Sequence, residues 1–272
     1  MKMDVKTEVD TTLSNLDLKT KDPIAMIAAI FSWVAAPLLI PLYGMTLVFS
    51  LSIMKYASIE SQLLVLGVVF CTNAVLPVML FCLLKLLGVI KDVALNEQKE
   101  RAIPYVIMIL CYLASAYFLY TRQAPMWVVM FFVGGSVAAV INMVVNVWWK
   151  ISAHAAAAAG LIAMLVGMHT YGSPQTDLIP WIVGSIIFAG GLCSSRVYLR
   201  RHTLGQVICG SIVGYLGVYL SITLFALQLI FNHLYINHNP YETISKHHNG
   251  QHFRPACNGE SSRIFRQDGD SI

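Results

Sequence analysis

Three short strings hold nearly all the reactive side chains of an otherwise apolar chain. Ser195-Arg196 is followed by His202-Thr203-Leu204-Gly205-Gln206, and Ile151-Ser152-Ala153-His154 leads into a run of alanines. The third, Asn96-Glu97-Gln98-Lys99-Glu100-Arg101-Ala102-Ile103-Pro104, puts Arg101 just ahead of a Pro-initiated helix. These groups suit an anion, most simply a phosphate. Arginine presents a planar fork of donors matched to phosphate oxygens, and lysine adds point charge. Ser152 and His202 both lie where a helix begins, so free N–H groups and the positive end of the helix dipole favour an anion too. His202 and Gln206 are four residues apart and share a helical face, so one can orient the other's imidazole through the nitrogen turned away from substrate. One nucleophilic and one proton-donating histidine are what a phosphohistidine mechanism requires.

The elements that must hold these groups are membrane helices. The 272 residues are 57% hydrophobic and 12% charged, with a mean hydropathy of +0.67. Residues 25–232 contain ten bases and five acids, about 7% charged. A water-facing surface needs far more, which excludes a soluble domain, a disordered chain and a nucleic-acid binder. The net charge of +4 is small and calls for a local explanation rather than a polyanionic partner. The domain reading is a polar tail over 1–24, a transmembrane domain over 25–232 and a polar, disordered tail over 233–272. The polar start of the chain is not a signal peptide.

Stretches of about 20 apolar residues mark the spans. They run over 24–54 (one long span kinked by Pro37 and Pro41), 62–90 (with Pro77 inside), 104–120, 126–147, 155–170, 178–193 and 203–231. The first two are long enough to conceal a re-entrant piece, so the expected fold is an all-α polytopic bundle of six to seven spans. The connections 91–103, 148–154 and 194–202 hold seven bases, and the other three connections hold only Lys55 and Arg122. Each basic connection is two crossings from the next, so all three open on one face. With the tails, that face carries eleven Lys/Arg against six, the cytoplasmic side by charge bias. Setting Lys99, Arg101 and Arg196 aside as ligand groups leaves eight against six, and the orientation stays open.

Plainer roles account for other residues. Arg200 and Arg201 read as interfacial anchors and Trp148-Trp149 as an aromatic belt. Ala155–Ala159 reads as a tight helix-packing face. Lys85 stands out inside a span, but it is close enough to the membrane margin to snorkel. Cys71, Cys82, Cys111, Cys193 and Cys209 read as buried thiols, small hydrophobes without CxxC spacing. His247, His248, His252 and Cys257 match no zinc spacing, so no metal or cofactor is expected. No P-loop, dinucleotide glycine string or GxSxG is present. Asp92 is the only aspartate in the basic connections, too few for a magnesium pyrophosphate site.

In order and character the three strings resemble the type 2 phosphatidic acid phosphatase (PAP2) superfamily, whose motifs are K-x6-RP, PSGH and SR-x5-H-x3-D. The third is present as Ser195-Arg196, His202 and Gln206, with Gln where the family has Asp. The second is Ile151-Ser152-Ala153-His154. The first keeps Arg101, with Pro104 three residues on and Ala94 at the lysine position, so Lys99 or Lys91 must substitute. The resemblance covers about residues 90–225. It implies that His202 attacks phosphorus and that His154 protonates the leaving oxygen. Arg101, Arg196, Lys99, Ser195 and the N–H groups near Ser152 and Ala153 would hold the phosphoryl oxygens, without a metal. The implied activity is hydrolysis of a lipid phosphomonoester or diphosphate by a multi-pass protein of the cell membrane. Gln206 supplies no negative charge, and by analogy with triad enzymes the loss of a carboxylate costs up to ~10⁴ in rate. A weak lipid-phosphate binding protein is therefore the second reading. A solute transporter is the third, disfavoured because its ionisable groups would lie near the midplane.

Overall fold

The computed structural model describes residues 22–88, 102–172 and 174–238, with side chains through Gln228. Lys91, Lys99, Arg101 and the residues of both polar tails apart from 22–24 and the helical backbone of 233–238 lie outside the described residues. Two units divide the chain, Met1–Gln228 and Leu229–Ile272. The helical bundle belongs to the first, and of the second only helical backbone through His238 is described. Among the described residues there is no strand, only an isolated bridge between Ser52 and Pro174.

The first apolar stretch is not one kinked helix. It forms α1 (Pro23–Val34) and α2 (Ile40–Leu51), broken over 35–39. Pro37 has no N–H to donate and disfavours helical geometry at Ala36, whereas Pro41 falls in the first turn of α2, where no donor is needed. The break is sealed locally. The N–H groups of Ala35 and Ala36 reach the carbonyls of Phe31 and Trp33, and the Tyr43 hydroxyl donates to the Val34 carbonyl at 2.9 Å. Each half has 12 residues, roughly 18 Å of helix, too short to cross alone. α1 packs against α8 (Ile179–Tyr198), and the two halves are tied at their outer ends. The Tyr198 hydroxyl donates to Asp22 at one end (2.7 Å), and the Gln175 N–H donates to the Leu51 carbonyl at the other (2.9 Å).

Among the described residues six other helices are long and apolar enough to cross a membrane, the mark of an integral membrane protein. The 28-residue span Ile59–Leu86 consists of α3 (Ile59–Phe70), a π-turn (Cys71–Val75) and α4 (Leu76–Leu86). The wider turn lies just ahead of Pro77, where an ordinary turn would drive the ring into a carbonyl. Buried Asn73, in that turn, bonds Ser115 on the next helix at 2.7 Å, polar glue between spans. Lys85 lies in the last turn of α4 and is exposed, as a snorkelling side chain should be. The remaining helices are α5 (Ala102–Thr121), α6 (Met126–Val145), α7 (Ala153–Tyr171) and α9 (Leu204–His238). Cys111 is buried, but Cys71 and Cys82 are exposed. The thiols are thus not uniformly core groups; a weakly polar S–H needs no burial beside apolar neighbours.

The bundle closes around α7. Ala155, Ala156, Ala158, Ala159 and Gly160 are all buried, because small side chains let neighbouring backbones come close. Gly210 and Gly214 of α9 meet them. A Cβ at Gly214 would overlap the Ala156 carbonyl, and one at Gly210 would lie 2.5 Å from the Ser152 carbonyl oxygen. One turn further along α9, a Cβ at Gly134 of α6 would lie 2.6 Å from Val218 Cα. This packing places the start of α7 beside the start of α9.

Candidate active site

The tight α8–α9 connection explains the five-residue spacing between Arg196 and His202. At the end of α8, Arg200 adopts a left-handed conformation (φ 52°). Its N–H reaches Val197 O at 2.9 Å, and the Arg201 N–H reaches back to Arg196 O at 3.1 Å. This paired arrangement ends the helix and reverses the chain. The His202 N–H also bonds Arg196 O, at 3.4 Å. A new helix then starts at once through a capping box. Thr203 Oγ1 accepts from the Gln206 N–H (3.4 Å), and Gln206 Oε1 accepts from the Thr203 N–H (3.1 Å).

The same Gln206 oxygen lies 3.2 Å from His202 Nδ1. Because it takes the Thr203 N–H, it is an acceptor, so the ring proton resides on Nδ1 and the lone pair on Nε2. His202 is 7% exposed. Gln206 therefore caps α9 and sets the imidazole with one atom. It does so without charge, since among the described residues the carboxylates are Asp22, Glu60 and Asp177 and none adjoins His202.

The second string is tied to the third through the backbone. Fully buried Ser152 caps α7, its hydroxyl accepting from the Ala155 N–H at 3.4 Å. Its own N–H donates to the Gln206 carbonyl at 3.3 Å. Ala153 and His154 follow as the first two residues of α7, where N–H groups have no acceptor within the helix and anions are favoured. Trp149 lies over Gly205, 3.5 Å from where a Cβ would stand.

Arg196 lies in the last turn of α8, and its Nη1 donates to Ser32 Oγ at 2.8 Å. Ser32 is 4% exposed on α1, 164 residues away in sequence. Nothing in the sequence signals this contact, since Ser32 reads as an ordinary small residue in an apolar helix. Ser195 is buried, and its hydroxyl donates into its own helix at Gly191 O (2.9 Å). The structure thus ties Ser152 to Gln206, Gln206 to the His202 ring and the His202 N–H to the Arg196 carbonyl, with Ala153 and His154 next to Ser152 in the chain, whereas Arg101 and Lys99 lie outside the described residues. Asp22, at the head of α1, has its carboxyl held below the ordinary range by the Tyr198 hydroxyl and then by the Ile24 N–H. Among the described residues no group of His, Cys, Asp and Glu is gathered for a metal.

A family model described as the PAP2 superfamily matches residues 147–229. That stretch contains the second and third strings and the whole α7–α9 interface; the first string and the broken first crossing precede it. No curated protein and no solved structure matches the chain. Both histidine strings lie inside the matched stretch and are joined through Ser152 and Gln206, so the likeness to the PAP2 superfamily resides in residues 147–229.

Proposed function

We propose that this membrane protein is a phosphatase of the cell membrane acting on a lipid phosphomonoester or diphosphate. The supporting observation is the His202–Gln206 pair at 3.2 Å, beside an α7 N-terminus held to the Gln206 carbonyl. His202 Nε2 attacks phosphorus, forming a P–N bond as the bond to the leaving oxygen breaks. His154 gives that oxygen its proton. Water then attacks the phosphohistidine, His154 takes back a proton, and the P–N bond breaks to release phosphate. Arg196, with Arg101 and Lys99 from the first string, balances the phosphoryl charge, and the N–H groups of Ala153 and His154 bind its oxygens. No step calls for a metal.

Phosphate release in detergent from a phosphatidate, a phosphatidylglycerophosphate and a polyprenyl diphosphate tests the reading. His202→Ala should lower it by at least ~10³-fold, as loss of a nucleophile does. Turnover untouched by His202→Ala rules the mechanism out. Gln206 supports a second reading, a slow enzyme acting mainly as a lipid-phosphate binder, and binding without turnover on any of the three lipids would select it.

A further inference from the structure

Ser32 is the one hydroxyl-bearing residue of α1, and it is 4% exposed. Ser195 and Ser221 turn their hydroxyls back onto their own helices, to Gly191 O and Gly217 O, the usual habit of serine inside a helix. Ser32 instead serves a neighbouring helix, accepting from Arg196 Nη1 of α8 at 2.8 Å. Packing fixes it there. Phe31, the preceding residue, stands edge-on to Phe188 of α8 with ring centres 5.3 Å apart. A Cβ at Gly191 would lie 3.2 Å from the Phe31 ring. Ala35, three residues on, joins Ala158 of α7 and Leu192 of α8 in one buried cluster. Ala158 is one turn from His154, and Leu192 one turn from Arg196, each on the same helical face. The end of α1 thus lies against the turns next to those that carry His154 and Arg196.

Arg196 has two separate attachments. Its carbonyl takes the His202 N–H at 3.4 Å, whereas its side chain reaches α1. An arginine side chain has many rotamers, and its planar fork serves a phosphoryl group only when held in one orientation. A hydroxyl oxygen fixes one edge of that fork and, being neutral, leaves the positive charge available to an anion. We propose that α1 is part of the active site and that Ser32 is a positioning residue, aiming Arg196 at the phosphoryl group. This rests on the phosphatase reading of Arg196 and His202. It extends the site to a helix that precedes residues 147–229, the stretch matched by the family model.

Inorganic phosphate binding, measured by calorimetry on the full-length chain in detergent, tests this beside phosphate release from a phosphatidate. Ser32→Ala should weaken phosphate binding and lower kcat/KM by about 5-fold each, the size of one hydrogen bond. Ser32→Thr should keep both. Tyr198→Phe breaks the other tie between α1 and α8, the one to Asp22, without touching Arg196. It should leave phosphate affinity unchanged even where it lowers Tm. Unchanged affinity in Ser32→Ala overturns the proposal. Equal losses in Ser32→Ala and Tyr198→Phe also overturn it, since Ser32 would then only hold two helices together. Should Ser32→Ala fail to fold, Ser32→Cys keeps the volume and replaces the oxygen with a weak acceptor, and the same comparisons decide. Ser32-dependent phosphate binding without release from any lipid removes the phosphatase reading and leaves Ser32 assigned. Release that depends on His202 but not on Ser32 does the reverse. If the parent chain neither binds phosphate nor releases it, both fall.

Discussion

The two sides of α7 are built from the same residues and do opposite things. Toward α9, Ala156 and Gly160 meet Gly214 and Val218 so closely that a Cβ at Gly214 would overlap a carbonyl. Toward the break in the first crossing, Ala153, Ala156, Ala157 and Gly160 border open space. Small residues do not by themselves close an interface. They close it where a partner backbone moves into the space of the missing side chains, and they leave a crevice where the partner is interrupted. Here the interruption is the segment around Pro37, which cannot bring a continuous helix against α7.

The comparison is most severely tested by adding bulk on the closed side. Gly214→Val should destabilise the bundle by about 3 kcal/mol or more, because the overlap is with backbone that has nowhere to go. Thermal unfolding in detergent reads this, and an unchanged Tm would mean the two sides are alike after all. The closed side also fixes the imidazole, and Gln206→Glu keeps both hydrogen bonds while adding the missing charge. It should raise kcat at least 10-fold, within the ~10⁴ that a triad carboxylate can supply. An unchanged or lower kcat would show that the neutral amide is what the site is tuned to. Asp in that place is a methylene shorter and reaches the Thr203 N–H and His202 Nδ1 less well, so Glu is the sharper variant.

On the open side the effects should be smaller. Ala157→Leu should shift stability by less than about 1.5 kcal/mol, as space is available. A loss of Tm like that of Gly214→Val would erase the distinction. Ser32→Ala removes one hydrogen bond to Arg196 and should cost about 1 kcal/mol in kcat/KM, roughly 5-fold, with Ser32→Thr restoring it. The smallest effect belongs to Asp22→Asn at the far end of α1. The Asp22 carboxyl is held below its ordinary range, so its tether to Tyr198 contributes above the unfolded carboxylate pKa and is lost as pH falls through the folded value. The Tm gap between Asp22→Asn and the parent should therefore be small at neutral pH and vanish below the ordinary carboxylate range.

Much of the third string was legible because it is local. A helix end, a left-handed residue, two more residues and a capping box occupy consecutive positions, so the spacing from Arg196 to His202 and on to Gln206 already encodes the turn. The all-helical class and the apolar spans followed from hydropathy and length, since a bilayer accepts few alternatives. The first crossing was harder to read. Pro37 and Pro41 announced a disturbance, but the choice between a kink and a break rests on which partners take up the freed carbonyls, and here Tyr43 takes up that of Val34.

By itself, then, the sequence determined that the chain lies in a membrane, that most of its bases gather in three connections and that two histidines sit at helix starts. Only the tertiary structure decided that the Ser152 N–H meets the Gln206 carbonyl, that Ser32 holds Arg196 and that Asn142 faces a crevice. Each of these joins residues far apart in the chain. Glycines at 210 and 214 let two helices close to backbone contact, whereas a proline kept another pair apart, and which happens depends on what stands opposite.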